Sequence, residues 1–386
     1  MEDSYNGNDE EFKQMNNQQE ESIEEGENES EGKDGESQSI INLYNKEDFK
    51  LDKVMTFFFK NEILARVQYC PKCGKQMNLE NNQNYMDRKV WRCRSKIMNH
   101  DIKKNIRDNS VFELVNIPLP IIYFLIFYCF TEKFSIEKSF IEINDNKNLF
   151  EGQICTKNAI SKLFSLLREK IKNNMHKIWN YKLMGDNLTD KGYPVFEIDE
   201  SEIIGNNDVI YWMFGIIDRI TKESRVFCVL NDRTANNLMK IIKDNIGTNE
   251  NQDMDLDEEY LENTRIYSDC FASYQPDTFL ENGYILKRVN HSVWFGYGNF
   301  HTNNVEGLWS QIKRITNNFS GISISSIGKL YQTDKEKKNY LDSWICYALY
   351  FRDAEKAKLS RKGKISLLIK YILTHFYFLL IIKFIN

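Results

Sequence analysis

Short apolar runs separated by polar turns dominate the second half of the chain. Five of them are rich in β-branched and aromatic residues and predict strands. They lie at 193–200, 208–218, 223–231, 264–268 and 284–290. Helical periodicity covers 233–246 and 301–313. The predicted order is strand–strand–strand–helix–strand–helix–strand–helix, which indicates an α/β domain.

The first half has helical periodicity on either side of a cysteine-bearing segment. A short helix is predicted within 48–66 and a core helix at 117–130, whose prolines lie at its start. Residues 133–177 predict a helix-turn-helix in which Thr156 caps the second helix. The apolar positions of that helix recur at helical spacing: Ile160, Leu163, Leu167 and Ile171.

The other faces of this second helix are basic. Lys157, Lys162, Arg168, Lys170, Lys172 and Lys177 stand against the single acid Glu169. A helix of this kind can enter a DNA major groove, and we expect Lys162 and Arg168 to contact DNA. An ordinary helix of a bundle is the alternative.

Polar or apolar bias marks three further segments. Residues 1–38 are acidic and almost free of apolar side chains, which predicts a disordered tail reaching to about residue 45. Residues 249–262 hold seven acids and no base, as expected of a solvated loop. The apolar stretch 364–386 is interrupted by Lys370, His375 and Lys383. A buried or partner-seeking helix therefore fits it better than a membrane span.

The net charge of −5 hides an uneven distribution. Residues 1–38 carry a net charge of −12, so the remaining residues carry +7. A mildly basic body behind an acidic tail fits a nucleic-acid-binding protein. The first residues do not resemble a signal peptide, and in a reducing compartment cysteines are more often metal ligands than disulfides.

One cluster of cysteines has metal-ligand spacing. Cys70 and Cys73 form a CxxC pair, and Cys93 follows 20 residues later. His100 is the nearest fourth ligand of suitable chemistry, and together they predict a structural zinc site of the ribbon type. A CxxC without metal is the alternative.

The segment 88–107 around this site holds eight Lys/Arg against one acid, with Trp91 among them. Clustered cations bind phosphates through counterion release, so Arg92 and Arg94 are candidate DNA contacts. A basic face that is merely solvated is the alternative.

Three acids occupy positions that suit divalent metals. Asp199 and Asp269 each end a predicted strand, and Glu306 lies on the predicted helix 301–313. On that helix Val305, Leu308, Trp309, Ile312 and Ile315 form an apolar stripe. Glu306, Ser310 and Lys313 project from another face. Two strand-end carboxylates and one on a later helix can hold two metals against a DNA phosphate, as in an RNase H-like fold.

The motifs around these acids resemble the DDE transposases of the Merlin superfamily, the eukaryotic relatives of ISXO-type insertion-sequence transposases. The similarity covers about residues 55–350. It rests on the following segments: Asp199-Glu-Ser, Tyr211-Trp-Met-Phe-Gly-Ile-Ile-Asp-Arg, Ser268-Asp269-Cys-Phe-Ala-Ser-Tyr274, Val289-Asn-His-Ser292, His301-Thr-Asn-Asn-Val-Glu306-Gly-Leu-Trp-Ser-Gln-Ile-Lys313 and, near the ribbon, Ile106-Arg-Asp-Asn-Ser-Val-Phe-Glu-Leu.

The resemblance implies that Asp199, Asp269 and Glu306 are a catalytic triad holding two Mg²⁺ or Mn²⁺ ions. It places His291 near DNA, although a core histidine is as plausible, and it leaves structural roles to Glu197, Glu200 and Asp218. Double-stranded DNA, a homo-oligomer in the synaptic complex and a nuclear location are implied as well.

The predicted organisation has five parts. An acidic tail (1–45), a zinc-ribbon DNA-binding module (48–110), a helical region (117–185), a catalytic domain (190–350) and a basic, then apolar tail (351–386) follow in order. The function expected is cut-and-paste DNA transposition. A domesticated or decayed copy that binds DNA without cutting it is the alternative. A zinc-ribbon transcription factor would leave the three acids unexplained.

Overall fold

A mixed five-stranded sheet lies at the centre of the second half of the chain. The computed structural model describes residues 46–185, 193–205, 210–247, 264–269, 271–289, 301–317, 327 and 329–372, all within one compact unit, Tyr44–Asn386. The predicted acidic tail, the loop 249–262, His291 and the end of the apolar tail from residue 373 lie outside the described residues.

The strands of this sheet are β4 (Val195–Gly205), β5 (Ile210–Asp218), β6 (Ser224–Leu230), β7 (Thr264–Ser268) and β8 (Tyr284–Arg288). Their order is β6-β5-β4-β7-β8. The first three are antiparallel, whereas β7 and β8 run parallel to β4. Every strand predicted from the sequence is present, and β7 has the predicted bounds.

The alternation along β4 divides the sheet into two faces. Phe196 and Ile198 point to one face and pack with Phe214 and Ile216 of β5. The helix α5 (Ala235–Asn245) covers this face through Leu238, Met239 and Ile242. Glu197 and Asp199 consequently point to the opposite face.

Two helices cover that opposite face. Helix α7 (Asn303–Asn317) packs on β4 and β5, and α8 (Asp334–Lys356) packs on β6 and α7. The predicted apolar stripe of α7 is confirmed, because its five residues are all buried: Val305, Leu308, Trp309, Ile312 and Ile315. A short helix, α6 (Pro276–Glu281), joins β7 to β8. The described domain is thus α/β, with the helix and strand order predicted from the sequence.

A separate three-stranded antiparallel sheet carries the cysteines. Its strands are β1 (Asn78–Asn81), β2 (Lys89–Ser95) and β3 (His100–Asn105), paired in that order. The helix α1 (Leu51–Lys60) and a 3₁₀ turn, Lys46–Phe49, precede it. Helix α2 (Leu119–Phe124) follows and continues into the π-helical turn Leu125–Phe130, so the apolar run 117–130 is a buried helix as predicted.

The predicted helix-turn-helix region contains α3 (Ile136–Asp145), the 3₁₀ turn Lys147–Phe150 and α4 (Lys157–Tyr181). Thr156 caps α4 by accepting a hydrogen bond from the amide of Ala159 at 3.2 Å. Helix α4 runs for 25 residues and packs along α8. It is therefore a long core helix rather than a short helix that projects into solvent.

This packing corrects one sequence prediction. Arg168 is only 6% exposed, and its guanidinium lies over the ring of Trp344, 4.0 Å from the centroid. Lys172 is buried as well and donates a hydrogen bond to Asn339. The expectation that Arg168 faces DNA is wrong in this structure, because α4 buries a second face against α8. Lys162 is exposed.

The last described helix, α9 (Arg361–Ile372), begins the predicted apolar tail and packs on α4. Leu368 is fully buried there. None of the described helices is both long enough and apolar enough to cross a membrane.

Candidate functional site

Asp199 and Asp269 lie side by side, but only Asp269 follows a strand end as predicted: β4 continues to Gly205, so Asp199 lies within its strand. In the parallel β4–β7 pair, Glu197 is opposite Tyr267. Continuing this register by two residues places Asp199 opposite Asp269. Paired residues of neighbouring strands share a face, and the strands lie about 4.8 Å apart. Both carboxylates therefore emerge from adjacent strands on the face that α7 covers.

Helix α7 brings the third acid to the same place. Trp309 donates a hydrogen bond from Nε1 to Oδ2 of Asp199 at 2.8 Å. Glu306 lies one turn earlier on the helix, is exposed, and accepts a hydrogen bond from the Thr302 hydroxyl at 3.0 Å. The carboxylates of Asp269 and Glu306 act electrostatically on Asp199, so the three predicted acids lie near one another on the face of the sheet that α7 covers.

The electrostatics of Asp199 reflect this crowding. Burial raises the pKa of Asp199 to about 6; the Trp309 hydrogen bond opposes the rise, whereas the neighbouring Asp269 and Glu306 carboxylates add to it. Like charges close together disfavour ionisation of each other, and a bound cation relieves that repulsion. The donor set, three carboxylates near one face of the sheet, fits hard divalent cations such as Mg²⁺ or Mn²⁺ in its chemistry.

A second buried carboxylate lies on the other face of β4. Glu200 accepts a short hydrogen bond from the hydroxyl of Tyr274, which is itself fully buried. Burial raises the pKa of Glu200 to about 7, with the Tyr274 hydrogen bond opposing the rise and Asp199 and Asp269 adding to it. Burial also holds the pKa of Tyr274 well above its usual range.

Glu197 fixes the start of α7. Its carboxylate is fully buried and accepts hydrogen bonds from the backbone amides of Asn304, at 2.9 Å, and Val305, at 3.1 Å. Arg219 pairs with the same carboxylate at 2.7 Å. A carboxylate at a helix N-terminus satisfies amides that have no partner within the helix. Glu197 is thus an anchor for the helix that carries Glu306.

The acidic oxygens are spread more widely than the ligand atoms of the cysteine cluster. Within the described residues, the one group of three or more potential metal ligands with all its ligand atoms inside 4.8 Å is Cys70, Cys73, Cys93 and His100. The three carboxylates do not meet around a single point in that way.

The Cys/His cluster has the dimensions of a zinc site. The Sγ atoms of Cys73 and Cys93 are 3.6 Å apart, and Nε2 of His100 lies 3.6 Å from Cys70 Sγ and 3.4 Å from Cys93 Sγ. Ligands about 2.0–2.3 Å from zinc at tetrahedral angles lie about 3.3–3.8 Å from each other. These four residues could therefore hold a metal such as zinc.

Local backbone geometry builds this cluster. Gly74 has a φ of +70°, and its amide donates to the carbonyl of Cys70 at 2.9 Å, which closes a tight turn around the CxxC pair. Cys93 lies on β2 and His100 begins β3, so the hairpin supplies the other two ligands. The burial of Cys93 raises the pKa of its thiol to about 11, and the neighbouring thiols of Cys73 and Cys70 add to the rise. A bound cation would favour the thiolate instead.

The basic face of the ribbon is largely neutralised. Arg92 donates to Asp101 at 2.6 Å, and Arg94 pairs with Glu80 at 3.1 Å. Arg94 remains mostly exposed, whereas Arg92 is half-buried. The two arginines predicted to bind DNA are therefore accessible only in part, and each already has an acidic partner.

Lys313 lies two turns after Glu306 on α7 and is half-buried. Its role in DNA binding stays a prediction, as does that of Lys162. His291 lies outside the described residues.

Sequence reasoning missed two features of the acidic site. Trp309 was expected to be only a member of the apolar stripe, yet it donates to Asp199. Gly215, opposite Asp199 on β5, touches the Trp309 ring. A lone glycine in a strand of bulky residues is a signal of close approach and could have pointed to this contact.

Comparisons with known proteins add little to this geometry. No protein-family model matches the chain, and no curated protein does. Among solved structures, the chain is similar to one in the cryo-EM structure of a simian T-cell lymphotropic virus intasome in complex with PP2A regulatory subunit B56γ. The identity is 8% and the TM-score 0.22, over 46% of this chain and 60% of the other. This chain thus spans less than two thirds of that protein, and a likeness this slight carries no argument about fold or function.

Proposed function

We propose that this chain is a DDE-type DNA transposase that cleaves and transfers DNA strands with two divalent ions. One observation carries the proposal: the register of β4 and β7 sets Asp199 beside Asp269, and α7 brings Glu306 across them. Carboxylates on two adjacent strands and on a helix that covers them suit two ions and a phosphodiester.

The sheet supports the same proposal. Its order β6-β5-β4-β7-β8, with three antiparallel strands followed by two parallel ones, fits an RNase H-like core. Asp199 lies within the first of these strands, β4, and Asp269 directly follows the fourth, β7.

In the proposed mechanism Asp199, Asp269 and Glu306 would hold the ions. Two bound ions would supply activation of a water for attack on the phosphodiester and stabilisation of the departing 3′ oxygen. The chain's own residues keep the three carboxylates in place: Trp309 orients Asp199, and Glu197 anchors the helix of Glu306. Lys313, two turns from Glu306, would contact a DNA phosphate.

Other parts of the proposal concern partners. Double-stranded DNA would be the substrate, both at the ends of the mobile element and at the target site. A homo-oligomer would pair the two ends, with zinc at the Cys/His cluster stabilising the ribbon. A nuclear location would follow for a eukaryotic element.

The test is metal-dependent cleavage of the genomic sequences that flank the coding region, used as end-labelled duplexes. We expect nicking by the full-length protein with Mg²⁺ or Mn²⁺ and none with Ca²⁺ or without divalent ions. Asp269→Asn should lower the cleavage rate by a factor of about 10³ or more, because one metal ligand is lost. Asp277→Asn is the matched control, since Asp277 is an exposed aspartate of α6.

Two outcomes would contradict the proposal. Cleavage that is equal in Asp269→Asn and the wild type would mean that the triad is not the active site. Tight binding of the flanking duplexes without nicking under any divalent ion would favour a protein that binds DNA but no longer cuts it.

A further inference from the structure

Trp309 bridges α7 and Asp199, one of the proposed metal ligands. It is 6% exposed, and its Nε1 donates to Oδ2 of Asp199 at 2.8 Å. An indole N–H has no acceptor capacity, so the contact has a fixed polarity that favours the ionised carboxylate. The same carboxylate is subject to the charges of Asp269 and Glu306, so the Trp309 contact lies at the acidic cluster itself.

The neighbouring strand makes room for this contact. Gly215 of β5 pairs directly with Asp199 of β4. A Cβ atom at Gly215 would lie 2.3 Å from Cη2 of Trp309 and 2.9 Å from Cζ2. Such distances are far inside van der Waals contact, so any side chain at residue 215 must move the indole. Glycine at 215 is therefore a requirement of the ring position, since no positive φ demands it.

The same helix also carries Glu306, three residues before Trp309. Residues at i and i+3 lie on adjacent turns, so the position of the indole sets the position of Glu306 along and around the helix. Glu197 fixes the first turn of α7 through Asn304 and Val305. Glu306 thus lies between two points where α7 is tied to alternate residues of β4.

We propose that Trp309 is a positioning residue for the metal site: it orients Asp199 and sets the distance between Asp199 and Glu306. Glycine at position 215 leaves the space that the Trp309 ring occupies. The inference rests on the proposed function, because it assumes that Asp199 and Glu306 bind divalent ions. It goes beyond that function by giving a non-ligand, Trp309, a defined role in their geometry.

A tryptophan that merely fills the core would behave differently from a positioning residue. Trp309→Phe keeps an aromatic ring above Gly215 and removes the N–H donor. If Trp309 only packs, this change should affect stability and leave metal binding alone. If Trp309 orients Asp199, it should weaken metal binding beyond any loss of stability.

The experiment measures Mn²⁺ binding to the full-length protein by the electron paramagnetic resonance signal of free Mn²⁺. We expect Trp309→Phe to raise the Kd of the triad site about 10-fold, as losses of hydrogen bonds to metal ligands usually do. Trp179→Phe is the matched control: Trp179 is similarly buried, and its ring contacts His176 and Phe227. Thermal unfolding of both variants measures the packing loss common to the two.

Gly215→Ala gives an independent measurement, because it displaces the indole and leaves its N–H intact. We expect Gly215→Ala to bind Mn²⁺ more weakly than the wild type as well. The further the variant displaces the indole, the larger this loss of affinity should be. Should Gly215→Ala fail to fold, Trp309→Phe still decides the question.

The outcomes separate the two proposals. If Asp269→Asn binds as much Mn²⁺ as the wild type does, no Mn²⁺ is bound at the triad and the proposed function fails. If the wild type binds Mn²⁺ at the triad and Trp309→Phe binds it equally well, the function stands and the role of Trp309 is overturned.

Discussion

At the scale of a single residue, the surroundings of Asp199 oppose the ionisation of its carboxyl group. Its carboxyl has a pKa of about 6 in the fold, against an ordinary 3.8, chiefly because it is buried. The fold therefore binds the Asp199 proton more tightly than the unfolded chain does. As the pH rises from about 4 to above 6, the metal-free fold loses stability, and a cation bound as proposed would restore it.

The raised pKa of Asp199 predicts that Asp199→Asn stabilises the metal-free protein near pH 7.5. The gain should be at most about 3 kcal/mol, the equivalent of the raised pKa, and should shrink towards pH 4. Urea unfolding at pH 4.5 and 7.5, without added Mg²⁺ or Mn²⁺, measures it. In the same experiment Mg²⁺ should stabilise the wild type at pH 7.5 and leave the variant unchanged.

Asp244→Asn, which alters an exposed aspartate on α5, is the control and should change neither quantity. If the wild type is as stable as Asp199→Asn at pH 7.5, the fold does not raise the pKa of Asp199.

At the scale of elements, the stability of the ribbon depends more on its four potential metal ligands than on the packing of its strands. The strands β1, β2 and β3 are four, seven and six residues long, and few of their side chains are buried. A sheet this small is marginal without a metal or a disulfide. The Cys/His cluster joins the CxxC turn to the β2–β3 hairpin, so bound zinc would supply the missing stability.

We therefore expect one zinc per chain in protein purified without chelator, and none in Cys93→Ser. Cys93→Ser should also unfold the ribbon locally, seen as faster amide hydrogen exchange across residues 68–105, with the five-stranded sheet less affected. Elemental analysis measures the zinc, and mass spectrometry the exchange. Cys155→Ser, at a cysteine outside the cluster, should keep its zinc.

The elements themselves were largely predictable, and their contacts were not. Apolar alternation reports whether a residue is buried, so β4 and the stripe of α7 were found from the sequence. Periodicity does not report how many neighbours an element has. For that reason Arg168, on the flank of the apolar stripe of α4, was assigned to solvent when α8 in fact covers it. The Trp309–Asp199 hydrogen bond joins residues 110 positions apart and depends on the sheet register, which a single sequence does not reveal.

At the scale of the whole molecule, the distribution of charge matters more than its sum. The +7 of residues 39–386 suggests a nucleic-acid-binding body, yet many of its cations are committed to internal partners. Arg92, Arg94 and Arg107 all pair with acids, and Arg168 is stacked in the core. The proposed DNA binding would rely on cations that remain exposed, such as Lys162 on α4.

Substitutions of Lys162 and Arg168 are accordingly expected to affect different properties, DNA affinity in the first case and stability in the second. Lys162→Ala should weaken binding to a duplex oligonucleotide and lower the slope of log affinity against log salt by about 1, with no change in stability. Arg168→Ala should leave a cavity beside Trp344 and cost about 2 kcal/mol of stability. Its affinity for DNA below the melting transition should stay the same. Fluorescence anisotropy across a salt series and urea unfolding measure the two effects.

If Lys162→Ala binds as the wild type does, α4 is only a helix of the core. If Arg168→Ala loses DNA affinity while staying folded, its guanidinium must leave the Trp344 ring when DNA binds.

Arg107 has a consequence for motion between the ribbon and the rest of the unit. Its guanidinium is buried, binds Asp87 at 2.6 Å, and donates to the carbonyl of Ile117 at 2.7 Å. Asp87 in turn accepts the amide of Leu119, the first residue of α2. A hinge between the ribbon and α2 would have to break the hydrogen bonds that this buried ion pair makes to Ile117 and Leu119, which is costly because the charged groups would stay buried with fewer partners. The ion pair thus holds the ribbon and the start of α2 in a fixed relative position, and a DNA end bound by the ribbon, as proposed, would keep its position relative to α2 while strands are exchanged.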